Sequence, residues 1–299
     1  MHWDSLIKGY NQYLKLEKSL SQNSIDAYLL DINKLKAFAL MQEPAVELQH
    51  IDLKFLRQFL TYLYELGISH RTQARIISGI KSFYKFLIYE KVVENDPTLL
   101  LESPKLGMKL PEVLSIEEID QIMGAIDLSK PEGQRNRAII ETLYSCGLRV
   151  SELTNLLISN IYFKEGFVKV VGKGNKERLV PMGGKAIKEI QHYFDDARAQ
   201  LNIQPGHEDF VFLNRRGKQL TRVMIFTIIK DLVDITGIQK NVSPHTFRHS
   251  FATHLIEGGA DLRAIQDMLG HESITTTEIY THLDKDFLRD AILTYHPRS

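Results

Sequence analysis

Apolar positions recur every three or four residues along much of the chain, the spacing of amphipathic helices. In NSIDAYLLDINKLKAF, Ile25, Tyr28, Leu29, Ile32, Leu35 and Phe38 share one face, and Ser21, Asn23 or Ser24 is available to cap the start. In RTQARIISGIKSFYKFLIYE, Ile76, Ile77, Ile80, Phe83, Tyr84 and Leu87 form an apolar face while Arg71, Arg75, Ser78, Lys81 and Lys85 recur opposite it. Pro97, Pro104, Gly107 and Pro111 then interrupt the periodicity and predict an extended connector. Ser115 and Glu118 have capping-box spacing, with Leu114 and Ile119 placed as a hydrophobic staple, so a new helix should begin at SIEEIDQIMGAI. Helical patterns return in NRAIIETLYSCG and SELTNLLI, with Gly147 as the stop between them and Arg149 at the second start.

GFVKVVGKGNKERLVPM departs from this period. Two short β-prone runs, Phe167 to Val171 and Arg178 to Val180, flank a Gly-Lys-Gly-Asn turn, which predicts a β-hairpin with Lys173 at its tip. Asp261 is placed to cap the LRAIQDML helix, which Gly270 closes. The expected fold is mainly α with two domains: a helical bundle over 1–102, a linker over 103–114, and a mostly α domain with a small antiparallel β-sheet over 115–299.

Composition narrows the class. A chain of 299 residues exceeds one ordinary core, and 43% hydrophobic with 25% charged residues is that of a soluble globular protein. No apolar run reaches transmembrane length, and the opening MHWDSLIKGYNQYLKLEKSL has no secretory pattern, which points to a cytoplasmic protein without a membrane partner. A single cysteine, Cys146, excludes an intrachain disulfide and a cysteine-based zinc cluster. Thirty-seven basic residues balance thirty-seven acidic ones, so net charge does not reveal a polyanionic partner and local clustering must. The basic face with Arg71, Arg75 and Lys81 is either a solvated surface or a helix laid against DNA phosphates.

The chemistry concentrates in HTFRHSFATHLIEGGADLRAIQDMLGHESITTTEIYTHL, residues 245–283. His245 and His249 stand four apart, as in a zincin helix, but Thr246 occupies the place of the glutamate base and no third ligand is in register. The SFATHLIEGGADLRAIQDML stretch has the form of two helices about a glycine turn, which accounts for neither the phenol nor the imidazoles that follow. Phosphoryl transfer accounts for more: guanidinium groups grip non-bridging oxygens bidentately, and a phenol made into a nucleophile needs a base and positive surroundings. Such a site requires no metal and no organic cofactor.

Arg149 in CGLRVSEL, Lys173 in VGKGNKERLVP, His245 and Arg248 in HTFRHSFATHL, His271 in LGH and Tyr280 in EIYTH resemble, in order and context, the catalytic set of the tyrosine site-specific recombinases. The resemblance runs nearly the whole chain, the N-terminal segment being similar to the core-binding, DNA-clamping domain and the rest to the catalytic domain. Chain length, GKGNKERLVP, the LGHxSxxTTxxYTH pattern and the closing HPR are closer to bacterial Xer recombinases than to a phage integrase with an added arm-binding domain. The resemblance implies that Tyr280 attacks the scissile phosphate to form a 3′-phosphotyrosyl link, that Arg149, Arg248 and His271 hold the phosphate, that Lys173 protonates the 5′ oxygen and that His245 assists proton transfer. Glu152, one helical turn after Arg149, would orient a guanidinium or His245, while Lys176 and Arg178 would face the phosphate backbone. The implied partners are a double-stranded recombination site, a tetramer with itself or a paralogous recombinase passing through a Holliday junction, and a divisome-associated DNA translocase; the implied duty is chromosome-dimer resolution. The terminal helix, with Phe287, Leu288, Ala291, Ile292 and Tyr295 as an apolar stripe, either covers its own domain or, as the resemblance implies, docks into a neighbouring protomer. A mobile-element integrase and a DNA-binding protein without catalysis are the alternatives, and the intact six-residue set argues against the second.

Overall fold

The computed structural model describes residues 3–104, 112–172, 175–270 and 282–298, excluding the side chains of 282–286. The chain divides into two compact units, 1–109 and 110–299. Among the described residues no helix is long and apolar enough to cross a membrane.

In the first unit, helices α1 (Trp3–Leu16), α2 (Gln22–Leu40), α3 (Leu53–Glu65) and α4 (His70–Tyr89) enclose an aromatic-rich core. Asp52 caps α3 by accepting from the Phe55 N–H at 2.7 Å, and Ser69 caps α4. Ile76, Ile77, Ile80, Phe83, Tyr84 and Leu87 are all buried, as the spacing predicts. On α2, Ile25, Ile32, Leu35 and Phe38 are buried, and Tyr28 and Leu29 pack at the margin.

The basic face of α4 also carries an internal ion pair. Asp31 of α2 is fully buried opposite Gly79, and the Arg75 guanidinium turns inward to it at 2.6 Å while also donating to the Ala27 carbonyl. Burial raises the Asp31 carboxyl above its usual range, against the opposing pull of Arg75 and then Lys34. A carboxylate in a helix–helix contact demands such a partner. Arg75 thus holds a structural ion pair while 37% of its side chain stays exposed, and on the same face Arg71 is exposed and Lys81 half-buried.

The second unit is organised around α6 (Gly133–Cys146), whose Ala138, Ile139, Ile140, Leu143, Tyr144 and Cys146 are buried. Helix α5 (Ile116–Gly124) opens on the Ser115/Glu118 capping box, with Leu114 and Ile119 both buried. Helix α7 is shorter than SELTNLLI suggests and spans only Val150–Thr154, because the Thr154 carbonyl is taken by the Gln219 amide at 2.8 Å and the chain leaves the helix. Strands β1 (Ile161–Tyr162), β2 (Phe167–Val171) and β3 (Glu177–Pro181) form an antiparallel sheet in that order, with Val168 opposite Val180. The predicted hairpin is β2 and β3; β1 was not anticipated.

Helices α8 (Gly184–Tyr193) and α9 (Arg222–Thr236) precede α10 (Pro244–Gly258), α11 (Leu262–Leu269) and α12 (His282–Tyr295). Asp261 caps α11 and Gly270 closes it at φ +63°. In α12, Leu288, Ala291 and Ile292 are buried in this chain's own core, the first of the two arrangements that the stripe allows. The reason is close seating. Gly258 has no side chain where the Tyr295 carbonyl arrives, His296 packs against the Tyr144 and Phe251 rings, and Arg298 pairs with Asp120 and Glu141. Phe287 remains exposed.

Candidate active site

The site is assembled from the ends of helices. Gly147 terminates α6 in the left-handed region at φ +57°, and its carbonyl accepts from Arg248 Nη1 of α10 at 2.8 Å. The turn leads directly to Arg149 at the start of α7, whose backbone N–H donates to Glu152 Oε2 at 2.8 Å while Nη1 donates to Oε1 at 2.9 Å. Arg178, reaching in from β3, forks onto the same carboxylate at 2.8 and 2.9 Å, and Arg248 Nη1 lies 3.8 Å from Glu152 Oε2. One carboxylate thus gathers three guanidinium groups.

The same arginines take the successive carbonyls where α11 ends. Arg178 donates to Met268 at 2.7 Å, Arg248 to Leu269, and Arg149 to Gly270 at 3.3 Å. Helix C-termini leave such carbonyls without intrahelical donors and carry partial negative charge, which suits cations.

Exposure separates the three. The Arg178 and Arg248 side chains are 7% and 8% exposed, whereas Arg149 is 33% exposed and is the one open to a ligand. Burial, then the charge of Arg149, pulls Arg248 down to about 10, so it remains a cation at neutral pH. Burial would raise the Glu152 carboxyl, but the hydrogen bonds and charge of Arg178 and the bonds from Arg149 outweigh it and hold the carboxyl below its usual range. His245, in the first turn of α10, is lowered by desolvation and then by Arg248, His249 and Arg149, which favours a neutral imidazole able to accept a proton.

The structure therefore brings together Arg149, Glu152, Arg248 and His245. It corrects Arg178, which is buried against Glu152 and does not face solvent as a phosphate-backbone contact would. Strand alternation carried the signal, since Arg178 and Val180 share the buried face of β3. Lys176 is exposed. Arg71 and Lys81 belong to the other unit, and Lys173, His271 and Tyr280 lie outside the described residues. Among the described residues no cluster of three or more histidine, cysteine, aspartate or glutamate side chains is arranged to hold a metal ion.

Residues 112–286 match the model of the phage integrase family, and residues 7–91 match the phage integrase N-terminal SAM-like domain. A tyrosine recombinase XerD of Staphylococcus saprophyticus is 43% identical over 296 residues, covering 99% of this chain and 100% of its own. The chain belongs to the phage integrase family. Two solved structures share its fold. The XerH site-specific recombinase bound to difH substrate has a TM-score of 0.70 at 22% identity, covering 90% of this chain and 89% of that one. The Tn1549 transposon integrase in complex with circular intermediate DNA has a TM-score of 0.72 at 20% identity, covering 90% and 92%. The mainly helical architecture with a small antiparallel sheet is thus the family's, and this recombinase is a site-specific, DNA-cutting and rejoining enzyme.

Proposed function

We propose that the recombinase exchanges strands by a phosphotyrosyl mechanism at a site built on Arg149, Lys173, His245, Arg248, His271 and Tyr280. The Tyr280 oxygen bonds to phosphorus as its proton leaves, with His245 assisting. The bond to the 5′ oxygen breaks, and that oxygen takes a proton from Lys173. One phosphate ester replaces another, so no nucleotide triphosphate is consumed, and rejoining is the reverse attack by a 5′ hydroxyl. Arg149 and Arg248, with His271, stabilise the charge that develops on the non-bridging oxygens.

The observation that carries this reading is the ratio of charges: three guanidinium groups on one carboxylate leave a preset excess of positive charge, with Arg149 facing outward. A pentacoordinate phosphate needs donors held in place before it forms. Residues 1–102 would serve as the DNA clamp, 103–114 as linker and 115–299 as the catalytic domain. The protein would act in the cytoplasm as a tetramer, of itself or with a paralogous recombinase, on double-stranded recombination sites and through a Holliday junction. Chromosome-dimer resolution, with a divisome-associated DNA translocase as partner, is the duty that the likeness to XerD proteins supports.

Arg149→Ala and Arg248→Ala test this reading by single-turnover strand cleavage. Each is expected to lose about 10²–10³ in rate, the cost of an oxyanion-type donor. Near-normal cleavage by both would remove phosphate holding from the account.

A further inference from the structure

We propose that Arg178 is a positioning residue for Arg149, acting through Glu152 and the end of α11. The inference rests on the reading of Arg149 as a phosphate-holding group. Three of the donors on the Arg178 guanidinium are committed inside the protein: Nη1 and Nη2 to the two Glu152 oxygens, and Nε to the Met268 carbonyl. With its side chain 7% exposed, Arg178 is poorly placed to meet DNA itself.

The three bonds join the parts that hold Arg149. Glu152 Oε1 accepts from both Arg178 and Arg149, and its Oε2 accepts from Arg178 and from the Arg149 backbone. Arg149 Nη2 reaches the Gly270 carbonyl, two residues beyond the one that Arg178 holds. A carboxylate on a side chain with several rotatable bonds is a poor template unless it is clamped, and the bidentate fork supplies the clamp. Its third bond ties Glu152 to the end of α11, beside the Arg248 bond to the Leu269 carbonyl, so Arg178 touches the elements that carry both acceptors of the Arg149 guanidinium.

The fit is specific to arginine. A lysine ammonium is a compact charge that cannot span two carboxylate oxygens and a carbonyl in one plane. Gly270 also accommodates the arginine, since a Cβ there would stand 3.1 Å from Arg178 Cδ and 3.3 Å from its Nε.

A double-mutant cycle on the full-length protein tests this. The probe is a nicked suicide duplex whose sequence is obtained by selecting random duplexes for binding to the protein. Covalent-adduct formation is followed under single-turnover conditions for wild type, Arg178→Lys, Arg149→Ala and the double variant, with circular dichroism and duplex affinity recorded for each. Arg178→Lys is expected to slow cleavage about 10–100-fold, the usual range for residues that orient a functional group, while duplex affinity stays within a few-fold. In the Arg149→Ala background the same change should cost less than about 3-fold, because the group being positioned has gone. A merely structural loss would multiply with Arg149→Ala instead. Should Arg178→Lys fail to fold, Glu152→Gln keeps the volume and carries the same expectation. Equal penalties in both backgrounds, or wild-type cleavage by Arg178→Lys and Glu152→Gln, overturn the inference while leaving Arg149 in its role. Wild-type cleavage by Arg149→Ala alone overturns the role of Arg149 and the inference with it.

Discussion

Acidification should unlock the C-terminal tail, and the size of the effect follows from His296. It is 4% exposed, packed against the Tyr144 and Phe251 rings, with Nδ1 accepting from the Arg298 N–H and Nε2 buried. Burial, followed by the charges of His254 and Arg298, lowers its pKa from 6.5 to about 3. Because the folded value lies below the unfolded one, the unfolded chain takes up this proton first as pH falls. The contribution is fully present above the unfolded value and is lost progressively as pH falls toward the folded one. Linkage gives a loss of about 2 kcal/mol between pH 7.5 and pH 5 from this group alone. Urea unfolding of wild type and His296→Asn at both pH values isolates it, since asparagine retains an acceptor near the Nδ1 position but does not titrate. The variant is less stable at pH 7.5 through lost ring contacts, and its pH dependence should be shallower by about 2 kcal/mol. Parallel pH dependences for the two proteins would refute a neutral, buried His296 and the tail seating built on it.

Two further outcomes follow from close contacts and charge. Gly147→Ala combines a left-handed backbone with a Cβ that would stand 2.4 Å from Phe251 Cδ1, so it should lower the unfolding free energy by more than the roughly 1–2 kcal/mol of the backbone strain alone, and more than Gly270→Ala does, as read by urea denaturation. Arg71→Ala and Lys81→Ala should each flatten the salt dependence of DNA binding by about one unit if they contact phosphates, whereas Arg75→Ala should chiefly destabilise the N-terminal unit by stranding Asp31, visible as a lower melting temperature.

Local rules reached far into this fold. The Ser115/Glu118 box, the Gly147 and Gly270 terminators and the Asp261 cap are decided within a few residues, and each was legible from its neighbours. The pairing of Arg149 with Glu152 was legible for the same reason, being one helical turn long. What escaped depends on contacts that no local period encodes. Nothing local to Arg75 announces that it also pairs with Asp31, 44 positions away. Arg178 lies on the buried face of β3, yet its partners are 26 and 90 positions distant. The α12 stripe announces that it must cover something, and an apolar face is indifferent to whether that surface belongs to the same chain.

The central claim is that the Tyr280 oxygen is the nucleophile. Wild type and Tyr280→Phe are incubated with the selected nicked suicide duplex, and the products are separated on a denaturing gel that resolves protein–DNA adducts. Wild type should accumulate a 3′-linked covalent adduct, while the variant should bind the duplex with unchanged affinity and form none, since only the attacking oxygen has been removed. An adduct formed by Tyr280→Phe, or none formed by wild type on a duplex that it nevertheless cleaves, contradicts the account.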